Sequence, residues 1–298
     1  MAILCGTDLS ARGAGAAGVA AAWAARAGGP LVLVHALEVG VAEAARASLD
    51  DEVIRLRDAF PGLAIDARLE YGLPDEVLAR LSAPDGAAGG PVALVVVASL
   101  GRRLPRWLLG SVAERTAQSA PVPVLVVRDP APLRAWLAGE APLRVLAAFD
   151  FGDAAEAALA WVASLTRLAN CHVDVVHLAG PGPAPARGRR AAVTPGTRLL
   201  ADVQASLARH DWGAPPPEPR IVPAARRTGV ATGGAGGRGP ADLIVLGTRR
   251  ARRRPVPAVG ARPRRPRAGR RQCGLRSGPG DTGCGPRWRP DATPEPPG

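Results

Sequence analysis

Short apolar runs alternate along this chain with longer stretches whose apolar positions recur at helical spacing. Ala2–Asp8, Leu31–Leu37, Ile65–Tyr71, Val92–Ala98 and Val122–Val127 read as strands. Between the first two, Ser10 is placed to cap a helix over 11–27, which Gly28, Gly29 and Pro30 bring to an end. Residues 41–59 carry Val41, Ala45, Leu49, Val53 and Leu56 on one helical stripe. Pro74–Leu81 predicts a short helix with proline in its first turn, and Ser111–Ser119 predicts another. Val92–Ala98 has no polar position, as suits a central parallel strand covered on both faces. Strands alternating with helices predict an α/β fold with a parallel sheet and right-handed crossovers.

The pattern then repeats. Ile3–Asp8 corresponds to Val145–Asp150 at an offset of 142 residues, and His35 corresponds to His177 at the same offset. Leu94–Ser99 corresponds to Leu243–Thr248 at an offset of 149. Three colinear matches indicate an internal duplication, and 298 residues suffice for two domains. The expected organisation is a first domain over 1–129, a Pro- and Ala-rich linker over 129–142, a second domain over 143–248 and a tail over 249–298. In the second copy, Asp153 and Glu156 suggest a capping-box variant opening a helix to about Ala169. His172–Leu178 reads as a strand, Gly180–Arg190 as a loop and 194–209 as a helix. The copy then deteriorates. Ala224–Pro240 stands where a helix belongs but is too rich in glycine to form a good one. After Thr248 the loop, helix and last strand of the first copy have no counterpart.

Composition changes this picture chiefly at the end of the chain. All 38 basic residues are arginine, so P-loop and Schiff-base lysine chemistry is excluded. Residues 1–248 hold 24 Arg against 23 acidic residues, while 249–298 hold 14 against 3. The formal charge of +12 therefore belongs almost wholly to the tail. Arg, Pro, Gly and Ala supply 37 of those last 50 residues, leaving too little apolar material for a core. Two origins fit this composition: a GC-rich gene read out of frame beyond about Thr248, and a natural disordered Arg-rich arm for anionic partners. Nucleic acid would be engaged through this tail alone. Cys5, Cys171, Cys273 and Cys284 form no Cys-x-x-Cys pair, which fits buried thiols in a reducing cytoplasm. The chain opens straight into a strand, so no secretory leader is expected. The longest apolar uncharged run, Gly13–Ala25, is too short to span a bilayer.

The segment after the fourth strand carries the most chemistry. Val95–Ser99 leads through Gly101, Arg102, Arg103 and Arg106 to Trp107-Leu108-Leu109-Gly110-Ser111-Val112-Ala113-Glu114-Arg115. A glycine-bearing loop ending in Gly-Ser at a helix start presents backbone N–H groups to an anion. Gly110 permits close approach, and the Ser111 hydroxyl adds a donor. The three arginines fit either phosphate binding or a solvated loop face. In open α/β sheets, ligands sit at the carboxyl ends of the strands where strand order reverses.

Together with Ala120-Pro121-Val122-Pro123-Val124-Leu125-Val126-Val127 and the opening Gly6-Thr7-Asp8-Leu9-Ser10, this segment resembles the universal stress protein family. The resemblance covers residues 1–128 well, 143–248 in part and the tail not at all. It implies two tandem, open parallel-sheet domains with Rossmann-like strand order 3-2-1-4-5, the second incomplete. It further implies a cytoplasmic, adenine-nucleotide-binding stress-response protein. ATP would lie among Thr7, Asp8, Ala36, Ala98, Gly101, Gly110, Ser111 and Val112, with Asp8 contacting the nucleoside. Dimerisation through Val122–Val127 is implied too, as a homodimer or an intrachain pseudo-dimer. The family's Gly-x2-Gly-x9-Gly-Ser/Thr pattern is altered here. Ala98 replaces the first glycine, and eight residues rather than nine separate Gly101 from Gly110. In the second copy Gly247 restores the first glycine, but Arg250 replaces the second and the Gly-Ser helix is absent. Asp150 is therefore not expected to hold ATP.

Other readings stay open. Gly13-Ala14-Gly15-Ala16-Ala17-Gly18 is a literal G-x-G-x-x-G with Glu38 twenty residues further on, the pattern of an NAD-dependent oxidoreductase. Leu9–Arg12 separate it from the strand, however, and its glycines align with Ala155, Ala157 and Ala160. They are expected to be small helix residues packing on the sheet. A non-nucleotide-binding interaction protein of the same fold is a further alternative, as is a binder of anionic partners through the tail. No Ser/His/Asp, paired-carboxylate or metal-ligand spacing is present, so at most weak ATP hydrolysis is expected. His35 and His177 are expected to be buried, hydrogen-bonded core residues, and Trp23, Trp107, Trp136 and Trp161 to be packing residues.

Overall fold

The apolar runs of the first half become β1 (Ala2–Gly6), β2 (Leu31–Leu37), β3 (Ile65–Tyr71), β4 (Val92–Ala98) and β5 (Val124–Val127). They are seen in a computed structural model that describes residues 1–85, 88–99, 110–179, 195–213, 215–223 and 241–247. The expected loop and tail features at Gly101, Arg102, Arg103, Arg106, Trp107, 180–190, 224–240 and 249–298 lie outside these residues. The strands pair in the order β3-β2-β1-β4-β5, all parallel. Ile3 stands opposite Leu31 on one side and Leu94 on the other. The helices are α1 (Ala11–Ala27), α2 (Ala42–Ala59), α3 (Pro74–Leu81) and α4 (Ser111–Ser119).

Side-chain alternation along the strands sorts the core into two layers. Ile3, Cys5, Leu31, Leu33, Leu94 and Val96 pack with α1 and α2 on one face. Leu4, Val32, Val34, Val95 and Val97 pack with Val77, Leu78 and Leu81 of α3 and Ala113 of α4 on the other. Helix α1 lies close on the sheet because Ala16, Ala17, Ala20, Ala21 and Ala24 are small and fully buried. Its end is set by Gly28 at φ 66°, whose N–H reaches the carbonyls of Ala24 and Ala25.

Two boundaries in the first half differ from expectation by more than one residue. β1 stops at Gly6 because the chain turns over Thr7 and Asp8 into the α1 cap. β5 begins at Val124 because Pro121 and Pro123 have no N–H to give the ladder, although the Pro123 carbonyl already accepts from Val95 N.

The expected linker is instead a helix, α5 (Pro130–Leu137). The Asp129 side chain caps it by accepting from Ala131 N, and Pro130 occupies the first turn, where a missing N–H costs nothing. Leu133, Trp136 and Leu137 are buried, and α5 packs on α1.

The second half builds β6 (Leu143–Ala148), α6 (Asp153–Leu168), β7 (Cys171–Ala179), α7 (Pro195–Leu207), β8 (Pro219–Pro223) and β9 (Leu243–Val245). Its sheet is also parallel, in the order β8-β7-β6-β9. β8 has no counterpart in the sequence reading. Proline at both ends disguises it, which an edge strand tolerates. The expected capping box does not form. Gly152 is the N-cap of α6, and Glu156 reaches instead to Arg209 and His210 beyond α7. Leu143, Val145, Ala147, Val175 and Val245 join the α6 layer of the core. On the opposite face only Leu146 and Val176 are buried among the described residues.

The two halves meet through helices. Trp23 of α1 lies edge-on to Trp136 of α5 at 5.3 Å and stacks on Trp161 of α6 at 6.2 Å. Arg26 Nε donates to the Leu168 carbonyl at 3.1 Å. Within the second half, β6 is tied to the start of β9: Arg144 Nε and Nη2 donate to the two carboxylate oxygens of Asp242, and Arg144 N donates to Oδ2 as well. Burial works against the charge on Asp242, but these donors outweigh it and hold its carboxyl below the usual range.

Candidate functional site

β1 and β4 are neighbours and parallel, so their carboxyl tips, Thr7–Asp8 and Ala98–Ser99, lie side by side at one end of the sheet. α3 and α4 cover one face and α1 the other, so this is the point where the chain winds in opposite directions. The start of α4 lies at the same end. β5 runs parallel to β4 and follows α4 after a four-residue connection, so α4 runs back along the sheet from its carboxyl edge.

The tip of β1 is tightly specified. Thr7 is buried; its N–H donates to the Val34 carbonyl, and its Oγ1 accepts from Leu9 N at 3.1 Å. Asp8 is exposed, and its Oδ1 accepts from Ser10 N at 3.1 Å and Ser10 Oγ at 2.6 Å. Ser10 Oγ in turn accepts from Gly13 N, so one hydroxyl both caps α1 and steadies the carboxylate. Leu9 between them adopts φ 57°, a left-handed conformation that a branched residue takes only at a cost. The same turn recurs at the tip of β6. Phe151 has φ 63°, and Asp150 Oδ1 accepts from Gly152 N at 3.0 Å.

The histidines repeat too. His35 Nδ1 lies 2.9 Å from the Thr7 carbonyl, and His177 Nδ1 lies 2.8 Å from the Phe149 carbonyl. A carbonyl only accepts, so each ring carries a proton on Nδ1. Both rings are hydrogen-bonded as expected but half-exposed rather than buried. Their rings reach the carbonyls just beyond β1 and β6, which spacing along the chain did not reveal.

Ala36 is half-buried at the end of β2, opposite Glu70 of β3. Ala98 is half-buried beside Val127, and Ser99 N donates to the Val127 carbonyl. Gly110 is the buried N-cap of α4 at φ −67°, a conformation open to any residue, so close approach rather than backbone freedom would explain its glycine. No side chain caps α4. Ser111 is exposed and Val112 half-buried in its first turn. Arg115 of α4 pairs with the buried Asp75 of α3 at 3.0 Å and thereby ties the two helices that flank the tip. Sequence reasoning missed Asp75. Gly101 lies outside the described residues.

Gly13, Gly15 and Gly18 all lie within α1, not in a strand-to-helix turn, so they do not form the crossing that a dinucleotide fingerprint requires. Burial and the charge of Glu52 push Cys5 up to about 12, and burial pushes Cys171 up to about 11 despite the Trp136 N–H beside it. Among the described residues no His, Cys, Asp and Glu gather in a group that could hold a metal ion. None of the described helices is long and apolar enough to cross a membrane.

Residues 1–128 match the universal stress protein family. The chain is similar to a universal stress protein solved in complex with cAMP, at 27% identity over 43% of this chain and 96% of that one, with a TM-score of 0.36. It is similar to one from Archaeoglobus fulgidus solved in complex with dAMP, at 24% identity over 43% and 98%, with a TM-score of 0.34. A further universal stress protein, from Archaeoglobus fulgidus DSM 4304, aligns over 78% of this chain and 84% of its own at 18% identity and a TM-score of 0.48. The comparison with curated proteins gives no match. With its 3-2-1-4-5 parallel sheet and a family match that runs through β5, the stretch 1–128 is similar to the universal stress protein family.

Proposed function

We propose that the first half of the chain binds an adenine nucleotide, ATP in the first instance, across the carboxyl tips of β1 and β4. The observation that carries this is the β1 tip, where Asp8 stands exposed with one oxygen fixed by Ser10. Its Oδ2 is left to accept from a nucleoside hydroxyl or amino group. Thr7 and Ala36 form the floor beside it, and Ala98 borders it from β4. The uncapped first turn of α4, with the N–H groups of Ser111 and Val112 and the Ser111 hydroxyl, supplies donors for phosphate oxygens. Gly110 lets the backbone approach them. The ligand class rests on the family match of residues 1–128. The activity is binding, read out by a partner, and the protein works as a homodimer through the outer edge of β5, which has no partner strand among the described residues.

The test is a calorimetric titration of the full chain with ATP and, side by side, with NAD. A charge-assisted hydrogen bond contributes about 1.5–3 kcal/mol, so Asp8→Ala should weaken ATP binding roughly 10- to 150-fold. Wild-type protein that ignores ATP, or binds it equally well without Asp8, would defeat the proposal.

A further inference from the structure

Gly13 lies inside α1, where alanine would form a better helix. A Cβ at this position would stand 2.5 Å from Asp8 Oδ1, 2.7 Å from Thr7 Oγ1 and 3.3 Å from Asp8 N. Its two neighbouring glycines are under no such constraint. A Cβ at Gly15 would meet Pro130 at 3.5 Å, an ordinary contact, and one at Gly18 would meet nothing within 4 Å. The atoms that exclude a side chain at 13 are thus the two polar groups at the β1 tip. Neither moves aside freely. Thr7 is buried with its hydroxyl engaged by Leu9 N, and the Asp8 oxygen is held by the amide and hydroxyl of Ser10.

The second half has exchanged these groups. Ala155 replaces Gly13, Phe149 replaces Thr7 and Gly152 replaces Ser10, all at the offset of 142. Asp150 keeps the turn to Gly152 N but has lost both hydroxyls. Phe149 is buried there and packs on Phe151 at 4.9 Å. Space for the Ala155 region is found on the other side. Gly247, where the first half has Ala98, lies so close to α6 that a Cβ would stand 2.5 Å from Ala154 C and O and 2.6 Å from Ala155 N.

We infer that Gly13 is a positioning residue for the nucleotide site: it leaves room for the Thr7 hydroxyl and Asp8 carboxylate against the first turn of α1, and the second half, with Phe149 for Thr7, Gly152 for Ser10 and Ala155 for Gly13, lacks that arrangement, so the chain takes one adenine nucleotide, in its first half. This rests on the nucleotide-binding reading and extends it to stoichiometry and to a residue that touches no ligand. A methyl at 13 would collide with the Asp8 carboxylate and the Thr7 hydroxyl, so the carboxylate has to give up its place.

The experiment titrates the full chain with ATP and measures urea denaturation of the same variants. Wild type binds one ATP per chain. Gly13→Ala weakens binding tenfold or more, while Gly15→Ala and Gly18→Ala, which add the same methyl to the same helix, stay within twofold. Added to Asp8→Ala, Gly13→Ala changes affinity by less than twofold, because the group it acts through is gone. In stability, Gly13→Ala falls below Gly15→Ala, and the deficit closes in a Thr7→Ala/Asp8→Ala background where the methyl has room. Wild-type protein that binds no ATP overturns the nucleotide reading and this inference together. ATP binding that survives Gly13→Ala within twofold overturns the inference alone, as does a second ATP per chain that Asp150→Ala removes. A stability deficit unchanged in the Thr7→Ala/Asp8→Ala background makes the glycine merely structural, and also overturns it.

Discussion

Replacing Trp23 with alanine should be among the most damaging single changes in the molecule, because one indole joins both halves. Trp23 is 5% exposed. Its ring meets Trp136 edge-on at 5.3 Å and 70°, and Trp161 in a stack at 6.2 Å and 11°. Removing a buried Trp side chain costs about 3–5 kcal/mol, and ring pairs of this geometry contribute about 0.5–1.5 kcal/mol each beyond area. Since α1 itself is fixed against the sheet by its alanines, little collapse into the void is available, and we expect about 4–5 kcal/mol. That is a large share of a typical total stability of about 5–15 kcal/mol. With a urea slope of about 3 kcal/mol/M, the midpoint should fall by roughly 1.5 M. The assay is urea denaturation followed by far-UV circular dichroism, with the wild-type transition compared between dichroism and fluorescence to test for a single step. Trp161 is half-buried and meets only Trp23 among these rings, so Trp161→Ala should cost about 1–2 kcal/mol. The double variant should show about 0.5–1.5 kcal/mol of coupling. A Trp23→Ala midpoint no lower than that of Trp161→Ala, or strict additivity of the two, would refute the role given to this contact.

Smaller effects are expected elsewhere. Ser10→Ala removes a cap and the steadying bond to Asp8, and should lower stability by about 1 kcal/mol, read as a fall in melting temperature of about 2–4 °C; an unchanged melting temperature counts against the cap. The Arg144–Asp242 fastening should depend on pH. The Asp242 carboxyl lies low in the folded chain, so its contribution is complete above the ordinary carboxylate range, near pH 4, and is lost as pH falls through its depressed folded value. The stability gap between wild type and Arg144→Ala, measured in urea at successive pH values, should be constant from pH 5 to 8 and shrink below about pH 4; a gap that widens in acid would show the sign to be wrong. In a Cys171→Ser/Cys273→Ser/Cys284→Ser chain, the buried Cys5 should resist a disulfide reagent at pH 8 until denaturant is added. A thiol at about 12 is ionised there to only about one part in ten thousand, so rapid native labelling would contradict the burial.

Much of this protein can be read from its residues alone. Apolar runs of strand length between helical stripes determine an α/β order, because side chains alternate along a strand and recur every three to four residues along a helix. The matches at 142 residues likewise point to a second parallel sheet, and to the strand tips at Asp8 and Asp150. What local pattern could not carry is whatever depends on a distant partner. Helix α5 is eight residues with two prolines, too short to persist by itself, and it exists because Leu133, Trp136 and Leu137 are buried against other elements. Strand β8 hides between prolines and is held by its pairing to β7. The left-handed turns at Leu9 and Phe151 use residues that ordinarily avoid that conformation, so composition gives no sign of them. Gly13 shows the division most clearly. Its sequence neighbourhood suggests a dinucleotide loop or a packing stripe, and only the folded chain reveals an aspartate oxygen where its side chain would have been. Periodicity is a property of neighbours along the chain, whereas a forbidden methyl is a property of atoms that folding alone brings within a bond or two of each other.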